Sequence, residues 1–330
     1  MSIIKMIKID KINSRILYEL DKNCRISDNQ LAKLVNRSRE SVRNRINKLV
    51  KDDIIQGFIL SINPTATGCI GFKMYFQLKN NITERERFSN YFKKLEGIYW
   101  FAESDGVWDF HATFYVESIS KFNEIKNKIF TEFKDLIVKR DTGVLVNVRQ
   151  FTRKFLFPQI HERPLPYKYG EPQKISYLVD ELDKQILLKM STNARIPIVT
   201  LAQKTNSTVD IVRNRIKKFE NSNIIFQYRI ALNHTKLGYS MYKAFVYFDN
   251  LTPAIENKLI SYATQETRIF NLIRQISSWD IELEIMAKSY EEFTEIMNNI
   301  RSTFKEVIRN YELILIKDEN WVFDESHIFF

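Results

Sequence analysis

Apolar positions Ile9, Ile12, Ile16, Leu17 and Leu20 recur at three- and four-residue spacing, which predicts a helix from Asp10 to Leu20. Asp10 is placed to cap it, and Asp180 stands in the matching place later in the chain. A second helix is predicted over Ser27 to Val35, with Leu31, Ala32, Leu34 and Val35 inward. Asn36-Arg37-Ser38 reads as a tight turn, and Ser38 can cap a third helix running to Lys51 on the inner face Val42, Ile46, Leu49. The short turn between the second and third helices is the helix-turn-helix spacing. Asp53 and Asn223, residue types that tolerate the left-handed region, follow the third helix of each copy. From Ile55 to Pro64 the pattern predicts a short strand pair, a wing.

From Phe72 the period shortens to two. Phe72, Met74, Phe76 and Leu78 alternate with Lys73, Tyr75, Gln77 and Lys79. The pattern then predicts a helix Glu84 to Leu95, strands Ile98 to Glu103 and Trp108 to Val116, a helix Ser118 to Phe133, and a strand Ile137 to Val148. The order β-α-β-β-α-β is the split, ferredoxin-like arrangement. It is predicted again as Tyr242 to Phe248, Pro253 to Ala263, Ile269 to Gln275, Trp279 to Met286, Tyr290 to Phe304 and Val307 to Ile316.

The chain is written twice. Val42-Arg43-Asn44-Arg45-Ile46 returns as Val212-Arg213-Asn214-Arg215-Ile216, and Arg25-Ile26 as Arg195-Ile196, an offset of 195 − 25 = 170. Between Cys24–Ile55 and Ala194–Ile225, 13 of 32 positions are identical without a gap, so one unit has been duplicated and fused. The expected class is α+β: winged helix-turn-helix 1–64, ferredoxin-like module 68–150, linker 151–176, winged helix-turn-helix 177–234 and ferredoxin-like module 238–330. The linker holds Pro158, Pro164, Pro166 and Pro172, four of the seven prolines, and reads as a semi-rigid spacer. Phe155-Leu156-Phe157 and Trp321-Val322-Phe323, after the last strand of each copy, are expected to pack back on a sheet.

This local pattern resembles the Lrp/AsnC family of transcriptional regulators. The residues that carry the resemblance are Asp10-x-Ile12-Asn13-x-x-Ile16-Leu17, Arg25-Ile26-Ser27, Leu31-Ala32, Val42-x-x-Arg45-Ile46-x-x-Leu49, Ile55-Gln56-Gly57-Phe58, then Asn63-Pro64 and Gly68. The likeness spans nearly the whole chain, twice, where ordinary members hold one copy and dimerise. It implies a dimer fused into one polypeptide, with a helix-turn-helix for double-stranded DNA and a sensing module for a small amino-acid-like effector. It departs from the family at Asp53 and Asn223, where Gly is usual, and in copy two at Gln227 and His234, opposite Gly57 and Pro64. The family's Gly-x-Tyr-Asp turn stands here as Gly106-Val107-Trp108-Asp109 and Ser277-Ser278-Trp279-Asp280.

Net charge is +10, and residues 1–60 carry 13 Lys/Arg against 7 Asp/Glu, an excess of six at the first reader. Such a balance suits a polyanionic partner. If the third helix reads DNA, its N-terminal, outward residues would reach base edges in the major groove. In copy one these are Ser38, Arg39, Ser41, Arg43, Asn44 and Asn47, beside Glu40; in copy two, Thr208, Arg213, Asn214 and Lys217, beside Val209, Asp210 and Ile211. The bland alternative is a solvated polar face. Arg45 and Arg215 suit either phosphate contacts or internal ion pairs. For an effector, the resemblance points to Gly106, Trp108, Asp109, Trp279 and Asp280, an amino group held by Asp over an aromatic face; the alternative is a capped strand turn with Trp in the core.

Two cysteines and four histidines give no disulfide framework and no metal spacing, and neither a Gly-rich phosphate loop nor a nucleophile elbow occurs. No cofactor or catalytic residue is expected. The absence of a long apolar run argues against a membrane span, and Met1-Ser2-Ile3-Ile4-Lys5 is too charged for a signal peptide, so a cytoplasmic protein is expected, with self-association through the ferredoxin-like modules. Two rivals stand beside the regulator. One is a scaffold in which copy two no longer touches DNA. The other is an enzyme: siroheme decarboxylases share the family fold and occur as fused pairs, but their Asn-Met-Trp-Phe-like strand is here Val107-Trp108-Asp109-Phe110-His111.

Overall fold

Copy one runs α1 (Lys11–Lys22), α2 (Asp28–Val35), α3 (Arg39–Lys51), β1 (Ile55–Ile62), β2 (Ile70–Leu78), α4 (Ile82–Phe92), β3 (Ile98–Gly106), β4 (Phe110–Val116), α5 (Ile119–Glu132) and β5 (Ile137–Gln150). A short β6 (Tyr167–Tyr169) precedes copy two: α6 (Glu181–Thr192), α7 (Ile198–Lys204), α8 (Val209–Asn221), β7 (Ile225–Leu232), β8 (Ser240–Phe248), α9 (Pro253–Gln265), β9 (Ile269–Ile276), β10 (Ile281–Ala287), α10 (Tyr290–Thr303) and β11 (Ile308–Trp321). The computed structural model describes residues 6–160, 162, 164–171, 174 and 176–321; Met1 to Lys5, Pro172, Val322 and Phe323 lie outside the described residues.

Within each ferredoxin-like module the strands lie in the order fourth, first, third, second: β5-β2-β4-β3 and β11-β8-β10-β9. The second strand of each module then pairs with the fourth of the other, β3 with β11 and β9 with β5. The eight strands therefore close into one barrel, which leaves none of them as a free edge. The helices lie outside it. Phe72, Met74 and Phe76 turn outward into the core under α4 and α5, where Phe88, Phe92 and Phe122 are buried; Ala244, Val246 and Leu283 do the same with Phe293 and Met297 of α10.

The alternate residues turn into the barrel, and many are polar. Lys73, Tyr75, His111, Lys243 and Glu282 are all fully or almost fully buried. Lys73 and Lys243 are equivalent (243 − 73 = 170), as are His111 and Glu282 (282 − 111 = 171). Lys73 Nζ donates to Glu282 Oε2, Lys243 Nζ lies 3.1 Å from the same carboxylate and 3.0 Å from Glu284, and Tyr75 OH donates to Glu282 Oε1. Burial works against an ionised Glu282, yet Lys243 and Lys73 outweigh it and push its pKa down to about 2. Lys73, buried and facing Lys243, is lowered to about 8.

The predicted wing hairpins are not formed. β1 is a single strand and pairs antiparallel with β7 of the other copy, Phe58 opposite Ile230 and Leu60 opposite Tyr228. This ribbon is the seat of both helix-turn-helix units, each docked on the other copy's strand. Cys24 N donates to Tyr228 O at 3.0 Å, and the equivalent Ala194 N to Phe58 O at 2.8 Å. The linker is docked rather than free, since β6 pairs with β5. Phe155 and Phe157 pack on Tyr239 and on Tyr18 of α1, and Trp321 ends β11 opposite Trp100.

Candidate nucleic-acid interface

The first helix-turn-helix is built by local capping. Asp10 Oδ1 accepts from Asn13 N at 2.7 Å to start α1, Ser27 and Gln30 form a capping box on α2, and Ser38 Oγ accepts from Ser41 N at 3.2 Å to start α3. Asn36 (φ 51°) and Asp53 (φ 55°) adopt the left-handed conformation that ends α2 and follows α3, as do Asn206 and Asn223 (φ 58°) in copy two. In copy two Pro197 replaces the Ser27 cap, and α7 starts without a side-chain cap. Buried Val42, Ile46 and Leu49, with Val212, Ile216 and Phe219 as counterparts, fix which face of each third helix points outward.

That outward face carries the residues the sequence singled out. Ser38, Arg39, Arg43, Asn44 and Asn47 are exposed and Ser41 half-buried; Thr208, Arg213, Asn214 and Lys217 are exposed. Arg43 Nε lies 3.3 Å from Asp28, and Arg213 pairs with Asp210 one turn away. Arg45 and Arg215 are different. Arg45 Nη1 donates to Asp10 at 2.7 Å and Asn13 at 2.9 Å, and Arg215 Nη1 to Asp180 at 2.5 Å and Asp183 at 2.8 Å. They tie each third helix to the start of its first helix by internal ion pairs. Burial raises the Asp10 carboxyl, but the Asn13 N–H and Arg45 outweigh it and leave its pKa low.

An open cleft of about 710 Å³ runs along this face, framed by Lys8, Asn13, Ser41, Asn44 and Lys48. Lys8 and Lys48 were not among the sequence candidates. Lys48 was legible, since it lies four residues beyond Asn44 on one helical row; Lys8 precedes the periodic region and carried no signal.

The two helix-turn-helix units are braced against each other. Arg25 Nη1 donates to Ala194 O at 2.7 Å, and Arg195 Nη2 to Asp28 at 2.9 Å. Below them, Asp21 of α1 is fully buried and takes Arg229 Nε at 3.1 Å, Arg229 Nη2 at 2.9 Å and Arg153 Nη1 at 3.0 Å. Burial opposes the Asp21 charge, but the two arginines hold its pKa low.

The turn residues proposed for an effector serve the barrel instead. Asp109 Oδ2 accepts from Leu78 N at 2.7 Å and its Oδ1 from Arg85 at 3.1 Å; Asp280 Oδ2 accepts from Phe248 N at 2.8 Å. Trp108 and Trp279 are buried inside, 6.2 Å apart. At Gly106 (φ 136°) a Cβ would sit 2.4 Å from Leu313 O, so the glycine permits the β3–β11 seam. The arrangement is that of a capped turn with a core tryptophan. Among the described residues no cluster of His, Cys, Asp and Glu is placed to hold a metal, and no helix is long and apolar enough to cross a membrane.

Two helix-turn-helix units with polar third helices turned outward from a shared scaffold define a DNA-binding protein of the helix-turn-helix class. Residues 9–56 match the family model described as winged helix-turn-helix DNA-binding. The HTH-type transcriptional regulator LrpB of Bacillus subtilis is 29% identical over 149 residues, 43% of this chain and 99% of that protein. The HTH-type transcriptional regulator LrpA of Pyrococcus horikoshii is 34% identical over 126 residues, 37% of this chain and 85% of that protein. The chain belongs to the Lrp/AsnC family of transcriptional regulators. The solved structure of the siroheme decarboxylase NirDL shares the fold over 97% of this chain and 96% of its own, at TM-score 0.62 and 15% identity.

Proposed function

We propose that the chain is a sequence-specific regulator acting as a fused pseudo-dimer, with both readers in one polypeptide. The observation that carries this reading is the β1–β7 ribbon, on which each helix-turn-helix is docked by the other copy's strand. Two readers so braced present their third helices in one fixed relation, as a two-fold operator requires. Ser38, Arg39, Ser41, Arg43, Asn44 and Asn47 read one half-site, and Thr208, Arg213, Asn214 and Lys217 the other. Lys8 and Lys48 contact phosphates. Arg45 and Arg215 act by holding the helix rather than by touching DNA.

The tips differ: Arg39 and Ser41 face Val209 and Ile211 in the equivalent places. The operator is therefore an imperfect palindrome with half-sites about one turn apart, roughly 34 Å, or a multiple of it. Binding of the full chain to its own upstream DNA and to scrambled DNA of equal length, titrated with salt and followed by footprinting, tests the reading. Preference for the native fragment, unequal arms and affinity falling with salt support it. Equal binding to both fragments refutes sequence specificity.

One observation favours a second reading. The full-length fold likeness to a protein titled a siroheme decarboxylase brings that chemistry into consideration for this chain. A visible absorption band that develops and saturates on titration with siroheme supports it; no band at stoichiometric siroheme rejects it.

A further inference from the structure

Between the ribbon and the mouth of the barrel lies a cavity of about 190 Å³, more than ten times the roughly 10–15 Å³ that one water needs. Its wall combines both copies: Leu60 and Ala231 from the ribbon, Trp100 and Met241 from the barrel, and two arginines, Arg153 and Arg229. None of its lining residues belongs to α3, to α8 or to the capped turns at Asp109 and Asp280.

The charges around it do not balance on one side. Lys243 is answered by Glu282 and Glu284, Glu284 also takes Asn271 Nδ2 at 2.6 Å, and Glu319 takes Trp100 Nε1 at 3.2 Å. Arg153 and Arg229, by contrast, make their direct ion pairs with the single carboxylate of Asp21, while Glu319 acts on Arg153 only from farther off. The bonds to Asp21 use Nε and Nη2 of Arg229 and Nη1 of Arg153, which leaves Arg229 Nη1 and Arg153 Nη2 outside the cluster. The other copy has no such pair, because Ile59 stands where Arg229 does and Ser191 where Asp21 does, at the offset of 170 (229 − 59 and 191 − 21). Two guanidinium forks beside an apolar and aromatic chamber are the chemistry that takes a carboxylate with an apolar body.

We infer that this cavity is a binding site for a small monocarboxylic acid with an apolar or aromatic body, its carboxylate held by Arg153 and Arg229, and that occupancy weakens DNA binding by the first reader. The regulatory half rests on the regulator reading above. Asp21 belongs to α1, so a ligand carboxylate on the remaining nitrogens of the same two arginines competes with Asp21 for their charge and repels it, which weakens the contact that docks the first helix-turn-helix on β7. A ligand shifts such an equilibrium only by its unequal affinity for the two states, and that competition supplies the inequality.

The test is calorimetry of the full chain with phenylacetate, benzoate and isovalerate, and with phenylacetamide as an uncharged match for the first. At least one acid should bind, and phenylacetamide at least 10-fold more weakly than phenylacetate if phenylacetate is that acid. Arg153→Gln, which leaves Asp21 held by Arg229, should cost the acid at least 10-fold. Ala231→Phe, which fills the chamber without removing a charge, should abolish binding. No heat from any of the three acids at millimolar concentration overturns the site, as does binding unchanged in both variants. DNA titrations with and without the acid separate the two readings. DNA binding without acid binding sinks the cavity alone; acid binding with no DNA binding leaves the site and sinks the regulator. Acid binding that leaves DNA affinity unchanged overturns the coupling.

Discussion

Lys73 of the first copy and Lys243 of the second, equivalent residues, converge on one carboxylate, Glu282. The first copy offers no counterpart, because His111 stands in the matching place and Thr113 stands where Glu284 does (284 − 113 = 171). Two first copies paired together would bury two lysines with no acid; two second copies would bury two lysines with four carboxylates. Only the unlike pair balances, so each half of the barrel is suited to the other. Glu282→Gln leaves Lys73 without its carboxylate, and removing one partner of a buried pair costs about 3–5 kcal/mol. Guanidinium unfolding should show that loss, and Glu282→His should show it as well; a loss under 1 kcal/mol in both would sink the argument.

Acid should act through the same interior. The folded pKa of Glu282 is depressed to about 2, so its contribution is present above the unfolded value near 4.5 and is lost as pH falls from there toward 2. His111 is pushed well below 6.5 by burial and by Lys243 and Lys73. The unfolded chain then takes up a proton that the folded chain refuses, and stability falls as pH drops below 6.5. Neither ring nitrogen of His111 has a hydrogen-bond partner, and the ring lies 4.8 Å from Trp100. His111→Phe should leave stability at pH 7 equal or higher and flatten its slope between pH 6.5 and 5, read from melting curves.

Glu319 carries the opposite sign. Burial, with Glu284 nearby, raises its pKa to about 7. Its stabilising effect is full below about 4.5 and is lost as pH rises through 7. In Glu319→Gln the decline of melting temperature between pH 5 and 8 should be smaller than in the parent chain.

The readers should separate by substitution. Arg43→Ala with Asn44→Ala, and Arg213→Ala with Asn214→Ala, should each cost about 1–3 kcal/mol in DNA binding and leave the melting temperature nearly unchanged. Unchanged affinity in the second pair would make copy two a scaffold. Arg45→Ala should behave differently, lowering stability by up to about 1 kcal/mol through loss of the Asp10 and Asn13 contacts. Its salt slope of DNA binding should match the parent's.

At Gly106 an added methyl meets Leu313 O at 2.4 Å in a positive-φ backbone, at the seam of β3 and β11. Gly106→Ala should destabilise by about 1–3 kcal/mol. Hydrogen exchange of the Val107 amide, which donates to Leu313 O across this seam, should rise before that of β2 and β4.

The helices and both ferredoxin-like modules were legible because their periods decide which face is buried. Val42, Ile46 and Leu49 could only be a core stripe. The period could not tell what covers the second face of a strand. Lys73 and Tyr75 alternate with Phe72 and Met74 like solvent-facing residues, yet the barrel closes over them, and the seams that close it are non-local pairings. The wing failed for a related reason. A single strand paired with a distant copy has the same local pattern as one arm of a hairpin. At the candidate site the outward row of α3 was readable, but the partner of Arg45 was not, because Asp10 lies 35 residues away.

Both seams of the barrel join stretches of one polypeptide. An association of separate subunits thins out when diluted below its dissociation constant, and its stability depends on protein concentration. Here the partner arrives covalently attached, so closing the barrel is a unimolecular event. A solitary molecule in a very large volume keeps its barrel intact, and no exchange with free halves can scramble it.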